Sequence, residues 1–458
     1  MTRFVILGAG PTGLGAAYRL QELGHTDWDI YEKNDYIGGL ATSFVDDKGF
    51  TYDVGGHVLF SHYPYYDALV EKLLGDNYTP IMRESWIWMA DRFVPYPFQN
   101  NVKYLPKDQV LECLLGLIDA QRTPKASENF DEWIRATFGD GISRLFMLPY
   151  NFKVWAHPAS VMSKQWMAER VSVVDTKRVL TNVILDRDDI SWGPNNTFKY
   201  PLRGGTGAIY QAFMPYVQHR LHLNKPASRV NFAEKRVEFA DGSSTGYDVL
   251  ISTMPVDQLV LGSADAPEIV REATQGLSHN SAFIVGVGVD RACPTNKCWL
   301  YFPEESAPFY RVTYLSNYSP QITPKDDQFL LLTETAHSPY KPEPREGIVD
   351  RVIDGLIATK ILEPEDRARI ASTYLIDVPY AYPVPTLDRD ASLAVIQPYL
   401  MSHDVYSRGR FGGWLYEIGN MDHSVMQGVE VVERVLMGNE EVTWKPSPPS
   451  RARAFSAA

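Results

Sequence analysis

Phe4-Val5-Ile6-Leu7-Gly8-Ala9-Gly10-Pro11-Thr12-Gly13-Leu14-Gly15-Ala16-Ala17-Tyr18-Arg19-Leu20 is the stretch whose reading decides the fold. Its first four residues form a short apolar strand. Gly8, Gly10 and Gly13 then make a Gly-x-Gly-x-x-Gly turn, and the residues beyond it begin a helix that Gly24 can close. Trp28-Asp29-Ile30-Tyr31 reads as a second strand ending in Glu32. Strand, glycine turn, helix, strand and acid in this order are the signature of a dinucleotide clasp. Gly8 supplies the tight turn, Gly10 lets backbone N–H groups approach a pyrophosphate, and Gly13 lets helix and strand pack closely. The positive end of the helix faces the phosphates. Glu32 follows Gly13 by 19 positions, close to the roughly 20 expected of a ribose-binding acid. Its carboxylate repels a 2′-phosphate, so FAD or NAD suits this slot and NADP does not. Gly38-Gly39 allows a second close backbone approach.

The chain has 458 residues, too many for one ordinary core, and two or three domains are expected. Its 44 basic and 56 acidic residues leave a net charge of −12, which argues against a general nucleic-acid or anionic-membrane binder. A local basic pocket for a phosphorylated substrate stays open. The three cysteines, Cys113, Cys293 and Cys298, offer neither a Cys-x-x-Cys motif nor a good metal spacing, and no metal is expected. With no leader before the first strand and no long apolar run, a cytoplasmic protein without a membrane span is expected.

Residues 102–190 carry helical periodicity: Val110, Leu111, Leu114, Leu115 and Ile118, then Phe130, Trp133, Ile134 and Phe138, which stops at Gly139. From about 228 the period changes to two, with Asp241-Gly242 as a turn, and strand-like runs follow to Val378. The expected fold is α/β with α+β insertions. Residues 1–85, 196–256 and 405–440 form a discontinuous Rossmann-like domain. Residues 102–195 form a helical substrate and lid domain, and 86–101 with 257–404 an antiparallel sheet domain. The tail, 441–458, is expected to be disordered.

Dense groups of Arg, Tyr, Trp and Asn recur along the chain, and aromatics make up 12% of it. Singly, each could be core packing with a satisfied polar tip. Jointly they suit a nucleoside diphosphate: Arg forks grip phosphates, Tyr hydroxyls add neutral donors, and rings pack on uracil and sugar. The Glu32…Gly38-Gly39 extension resembles the FAD-binding amine-oxidase and mutase superfamily. Longer strings are more specific: Gly55-Gly56-His57-Val58-Leu59-Phe60-Ser61-His62-Tyr63, Pro97-Phe98-Gln99-Asn100-Asn101, Asn151 to Trp155, Arg203-Gly204-Gly205-Thr206-Gly207 and Gly419-Asn420-Met421-Asp422-His423-Ser424. Through them nearly the whole chain resembles the eukaryotic-type UDP-galactopyranose mutases. It departs at Met421, where that family has Gln, and in its short C-terminal tail.

The resemblance implies FAD, active when reduced, and an isomerase that interconverts UDP-galactopyranose and UDP-galactofuranose. In that family flavin N5 attacks the anomeric carbon and UDP leaves. The covalent flavin–sugar adduct opens and recloses through the other ring oxygen, and UDP returns. NADPH or NADH is the implied reductant. Arg170 and Arg311 would stabilise the departing diphosphate, with His57 beside the flavin as a sensor of its redox state. Tyr301, Tyr382 and Tyr416 would donate to phosphate, and Tyr318 and Asn195 would contact sugar and diphosphate. Tyr96, Phe98 and Gln99 would line the uridine site, with Asn151 and Trp155 on its ribose side. Phe60 and Arg410 would border flavin and sugar, and Phe146 and Asn420 would also face the substrate. Around FAD the resemblance adds Pro11, Thr12, Lys33, Leu40 and Ala41 to the glycines and Glu32. It further adds Gly55, Gly56, Arg83, Ser85, Arg410, Asn420 and Ser424. Loops near 167–175 and 191–197 would act as lids.

Two other readings stay open. A flavin oxidoreductase of the amine or protoporphyrinogen oxidase type would share the clasp but need an apolar tunnel. A degenerate flavoprotein scaffold would have no reason to keep the glycines and arginines. The sequence leaves room for a homo-oligomer without specifying one, and for N-acetylated sugar nucleotides as substrates.

Overall fold

The computed structural model describes residues 1–123, 126–167, 174–190 and 196–445. Strand β1 (Phe4–Leu7) is buried at every residue, as a central strand covered by helices on both faces must be. It lies in a five-stranded sheet between β2 (Trp28–Tyr31) and Val249–Ser252, flanked by Leu221–His222 and Val405–Ser407. All four pairings are parallel. Strands from near the start, the middle and near the end of the chain therefore build one sheet.

Helix α1 (Pro11–Glu22) packs on the C-terminal helix Met421–Met437 through glycine. A Cβ on Gly15 would stand 2.5 Å from Val425 O, and one on Gly428 would stand 2.1 Å from Thr12 O. These glycines let the two helices pack backbone against backbone, and Asn420 stands at the N-cap position of the second without a side-chain cap hydrogen bond. A small antiparallel sheet, Ala227–Asn231, Arg236–Phe239 and Ser244–Gly246, closes this region. Gly242, at φ +82°, makes the turn read from the sequence.

The second large sheet has seven strands. In spatial order they are Ile370–Val384, Ser278–Val289, Phe329–His337, Arg311–Tyr314, Trp299–Tyr301, Ser85–Met89 and Arg92–Pro95. The sheet is not purely antiparallel, as was expected: Trp299–Tyr301 runs parallel to Ser85–Met89. The hairpin 85–95 joins this edge from far upstream in the chain, so no short turn dictates its direction. Ser85, assigned to the first domain by the sequence reading, begins this hairpin instead. One face packs on the helix Ile348–Ala358, and the other, through Ala282, Ile284, Leu332 and Val378, faces Leu40 and Val54 of the first domain.

The helical region contains Lys107–Arg122, Phe130–Ile142, Leu148–Trp155 and Thr176–Ile184. Gly139 breaks the second of these, with φ +70° and ψ 172°, and lies against Gly116 where a Cβ would stand 2.1 Å from the Gly116 carbonyl.

The stretch 441–445, expected to belong to a disordered tail, packs on the rest of the protein. Glu441 accepts from the fully buried Arg408, Nη2 to Oε1 2.9 Å, and the Trp444 ring lies 3.7 Å from the Arg408 guanidinium. Thr443 N donates to Glu430 Oε2 at 2.8 Å. A buried guanidinium requires a counter-charge, and the stretch 441–445 supplies it. The rest of the expected tail lies outside the described residues. Among the described residues, no helix is long and apolar enough to cross a membrane.

Candidate active site

The first part of the site is a backbone cradle. Gly8 has φ +100°, and a Cβ there would stand 2.1 Å from Thr253 Oγ1. One on Gly13 would stand 1.9 Å from Gly8 O. Gly10 lies against Gly39: a Cβ on Gly10 would meet only Gly39 Cα, 3.9 Å away. Gly38 N donates to Ala9 O at 2.8 Å, joining the two glycine turns, with Leu40 and Ala41 in the short helical turn that follows. No side chain caps the first turn of α1, where Pro11 and Thr12 stand, so its N–H groups face this bare backbone surface. The cradle fits the diphosphate of a dinucleotide.

Glu32 sits at the end of β2, 5% exposed. One carboxylate oxygen accepts from Ala9 N at 2.8 Å, and the other from Asn34 N and Nδ2 at 2.9 and 2.8 Å. It therefore braces the glycine turn. Lys33 follows it on the surface. At the other helix end, Ser424 N donates to Asn420 O at 2.8 Å. His62 and His423 both approach the buried Asp422 carboxylate, at 2.9 and 3.1 Å.

The second part lies on the large sheet. Arg311 and Glu334 are directly opposed across two antiparallel strands. The guanidinium grips the carboxylate with two nitrogens, Nε to Oε1 at 2.6 Å and Nη2 to Oε2. Glu334 also accepts from Gly56 N at 3.0 Å and from the Tyr310 hydroxyl at 2.7 Å. Burial pushes its carboxyl up, but Arg311 and these donors outweigh that and hold it below the ordinary value. The Arg311 guanidinium lies 4.6 Å from the Trp299 ring centre, a cation–π contact.

His57 follows the Gly55-Gly56 turn, and its Nδ1 lies 3.1 Å from Gly55 O. Burial lowers its pKa, Arg410 and Arg311 act the same way, and Asp53 and Glu334 oppose them without winning. The imidazole is held neutral at pH 7.

Arg410 spans the junction of the two parts. It donates to Ala381 O at 3.0 Å and Gly419 O at 3.2 Å, and its guanidinium lies 4.6 Å from the Tyr382 ring. Tyr382 and Tyr416 lie 5.6 Å apart, and the Tyr310 and Tyr382 hydroxyls 3.4 Å. Arg83 and Ser85, expected at the flavin, stand in the aromatic wall. Arg83 donates to Tyr301 Oη at 3.1 Å and Ser85 Oγ at 3.0 Å, 5.1 Å from the Trp299 ring. Tyr96 packs on Tyr301 at 5.2 Å. The flavin-side and uridine-side expectations therefore converge on one wall.

Several of the expected lining residues are largely buried against one another. Phe98 is fully buried and stacks on Phe146, which stacks on Tyr150. Gln99 is buried beside it. Trp155 is buried and contacts the rings of Trp166, Tyr382 and Tyr416, so it stiffens the tyrosines. Asn151 Nδ2 donates back to Met147 O at 2.7 Å. Phe60 is half-buried, its ring 4.9 Å from that of His62. Tyr318 is buried between Phe198 and Tyr200, and its hydroxyl has no partner among the described residues. Orphaned buried donors cost free energy unless a ligand or water meets them, so Tyr318 fits a site that binds a polar group. Arg170 and Asn195, with most of both lid segments, lie outside the described residues.

The sequence reading missed Glu334, and gave no role to Tyr310 or Lys153 within the strings that hold them. A lone acid in Phe329-Leu-Leu-Leu-Thr-Glu334-Thr-Ala is the signal that could have found the first. Lys153 is buried on the helix carrying Asn151 and Trp155, and burial, with Lys341 nearby, lowers its amine to about 7. It donates to Glu304 O at 2.7 Å and Ala307 O at 2.9 Å. A neutral amine has two N–H donors, and both are used. An unfolded lysine titrates near about 10.4, so between about pH 7 and about pH 10 the unfolded chain binds the extra proton. Stability therefore rises with pH in that window. The melting temperature should climb from about pH 7 to about pH 9 more steeply in the wild type than in Lys153→Met. Parallel curves would mean that the buried amine stays charged.

The flavin containing amine oxidoreductase family matches residues 11–385. A crystal structure of reduced UDP-galactopyranose mutase superposes with a TM-score of 0.94 at 42% identity, covering 99% of this chain and 97% of that one. A putative protoporphyrinogen oxidase from Exiguobacterium sp. 255-15 superposes at 0.71 with 17% identity, covering 96% and 99%, a likeness of fold alone. A zeta-carotene desaturase of Zea mays is 39% identical over 75 residues, 16% of this chain. That match spans only 13% of the desaturase's length.

Proposed function

The chain belongs to the UDP-galactopyranose mutase family, within the flavin containing amine oxidoreductases, and we propose that it interconverts UDP-galactopyranose and UDP-galactofuranose with no net oxidation. The observation that carries this reading is the Arg311–Glu334 pair among tyrosines, in a chain that also holds a glycine cradle. Oxidation of an amine or a porphyrin precursor asks for an apolar tunnel there.

FAD fits the cradle, and when bound and reduced it supplies, at N5, the nucleophile for the anomeric carbon. The protein holds and stabilises. As the anomeric C–O bond breaks, negative charge develops on the β-phosphate. Arg311 lies on the sheet to meet it, and preorganised positive charge in a dry site lowers the barrier. Tyr301, Tyr382 and Tyr416 add hydroxyl donors, and their packing on Trp155, Tyr96 and Tyr150 fixes where they stand. Arg410, held by two carbonyls and stacked on Tyr382, borders flavin and sugar. The neutral His57 contributes a hydrogen-bonding group without adding charge. On family grounds, Arg170 provides the second cation, and Asn195 a sugar contact.

We assign reduction to NADPH or NADH entering the same cleft, since the chain has no second Gly-x-Gly-x-x-Gly turn, and place the protein in the cytoplasm. The test is anaerobic incubation with UDP-galactofuranose, with and without dithionite, followed by separation of the isomers. Conversion to the pyranose in the reduced sample alone is expected. No conversion, or stoichiometric oxidation of an amine with no isomer formed, would support the oxidoreductase reading instead.

A further inference from the structure

The Arg311–Glu334 pair does more than neutralise a buried charge. Four donor groups converge on one carboxylate: two nitrogens of Arg311, Gly56 N and the Tyr310 hydroxyl. They come from both structural units, since Gly56 belongs to the turn that carries His57 and the others to the sheet. The turn is built to lie on this carboxylate. Gly55 has φ +89°, and a Cβ on Gly56 would stand 2.9 Å from Thr313 Oγ1 and 3.4 Å from Glu334 Oε1. No side chain fits between them.

We infer that Glu334 is a positioning residue that aims the Arg311 guanidinium at the nucleotide diphosphate while locking the Gly55–His57 turn to it. This rests on the proposed function and extends it. Because Nε and Nη2 are committed to the carboxylate, the fork cannot rotate about its own axis, and Nη1 keeps one direction. An arginine so oriented loses little freedom on meeting phosphate. Tyr310 steadies the carboxylate from a second side, and it touches Tyr382 as well.

The test uses the reduced holoenzyme and two readouts, UDP affinity and the kcat–KM split for UDP-galactofuranose. Glu334→Gln keeps the side chain's size but loses the charged grip. It should retain flavin, by its visible spectrum, and bind UDP at least about tenfold more weakly, with kcat/KM down about thirtyfold. Tyr310→Phe should weaken UDP binding in the same direction by about threefold. If Glu334 acts through Arg311, the Glu334→Gln loss should nearly vanish in an Arg311→Lys background, to within about threefold. A Glu334→Gln enzyme with unchanged UDP affinity overturns the inference, as does an equal fold-loss in both backgrounds. If the wild type binds UDP but makes no isomer, the functional reading fails while the UDP measurements still decide the role of Glu334. If Glu334→Gln does not fold, Tyr310→Phe decides, in wild-type and Arg311→Lys backgrounds.

Discussion

Arg311→Ala is expected to lower kcat/KM for UDP-galactofuranose by about a thousandfold or more, and to destabilise the protein as well. Two losses coincide. The guanidinium that faces the developing phosphate charge disappears. At the same time Glu334 is left buried, with only the Tyr310 hydroxyl and Gly56 N to meet it. Breaking one side of a buried ion pair costs about 3–5 kcal/mol. Without Arg311 the balance that depresses the Glu334 pKa is lost, and burial then favours its neutral form. The double variant Arg311→Met with Glu334→Gln should therefore recover melting temperature lost by Arg311→Ala while staying inactive. Single-variant kinetics within twofold of wild type would remove Arg311 from the phosphate site.

The second large effect separates folding from cofactor binding at neighbouring glycines. Gly10 has φ −79° and ψ −175°, open to any residue, and its Cβ would have 3.9 Å of clearance from Gly39 Cα. Gly10→Ala should fold. Its methyl, however, would occupy the surface by which the backbone approaches the pyrophosphate, and FAD affinity should fall on the order of a hundredfold, about 2.7 kcal/mol. Gly13→Ala meets Gly8 O at 1.9 Å, an impossible contact with backbone, and should destabilise the domain by several kcal/mol. Circular dichroism with the visible flavin spectrum checks both. A Gly10→Ala protein that keeps stoichiometric FAD would show that the cofactor does not cross this cradle.

How far the sequence could be read follows from the range of the interactions involved. The clasp was legible because β1, the glycine turn, α1 and β2 obey short-range rules within 32 residues. Gly139 and Gly242 were legible for the same reason, since each takes the positive φ that its position in the pattern implies. The parallel edge between Trp299–Tyr301 and Ser85–Met89 was not, because it joins segments over two hundred residues apart with no turn to set direction. The aromatic strings come together in one wall, but composition cannot separate Tyr382, which stacks on Arg410, from Trp155, which packs on Tyr382. Glu334 stayed hidden inside an apolar strand, its meaning visible only once Arg311 stood opposite. The ordered stretch 441–445 was hidden likewise, because its partner Arg408 lies outside any tail pattern.

In the proposed reaction the bond between the anomeric carbon and the β-phosphate oxygen breaks and re-forms while the protein holds UDP. Positional isotope exchange reads that bond directly. UDP-galactopyranose carrying oxygen-18 in that bridging position is incubated with the dithionite-reduced protein and followed by phosphorus NMR. The label should spread to the non-bridging β-phosphate positions in the reduced sample and stay in place in the oxidised one. Isomer formed with the label still in its bridging position would contradict the account.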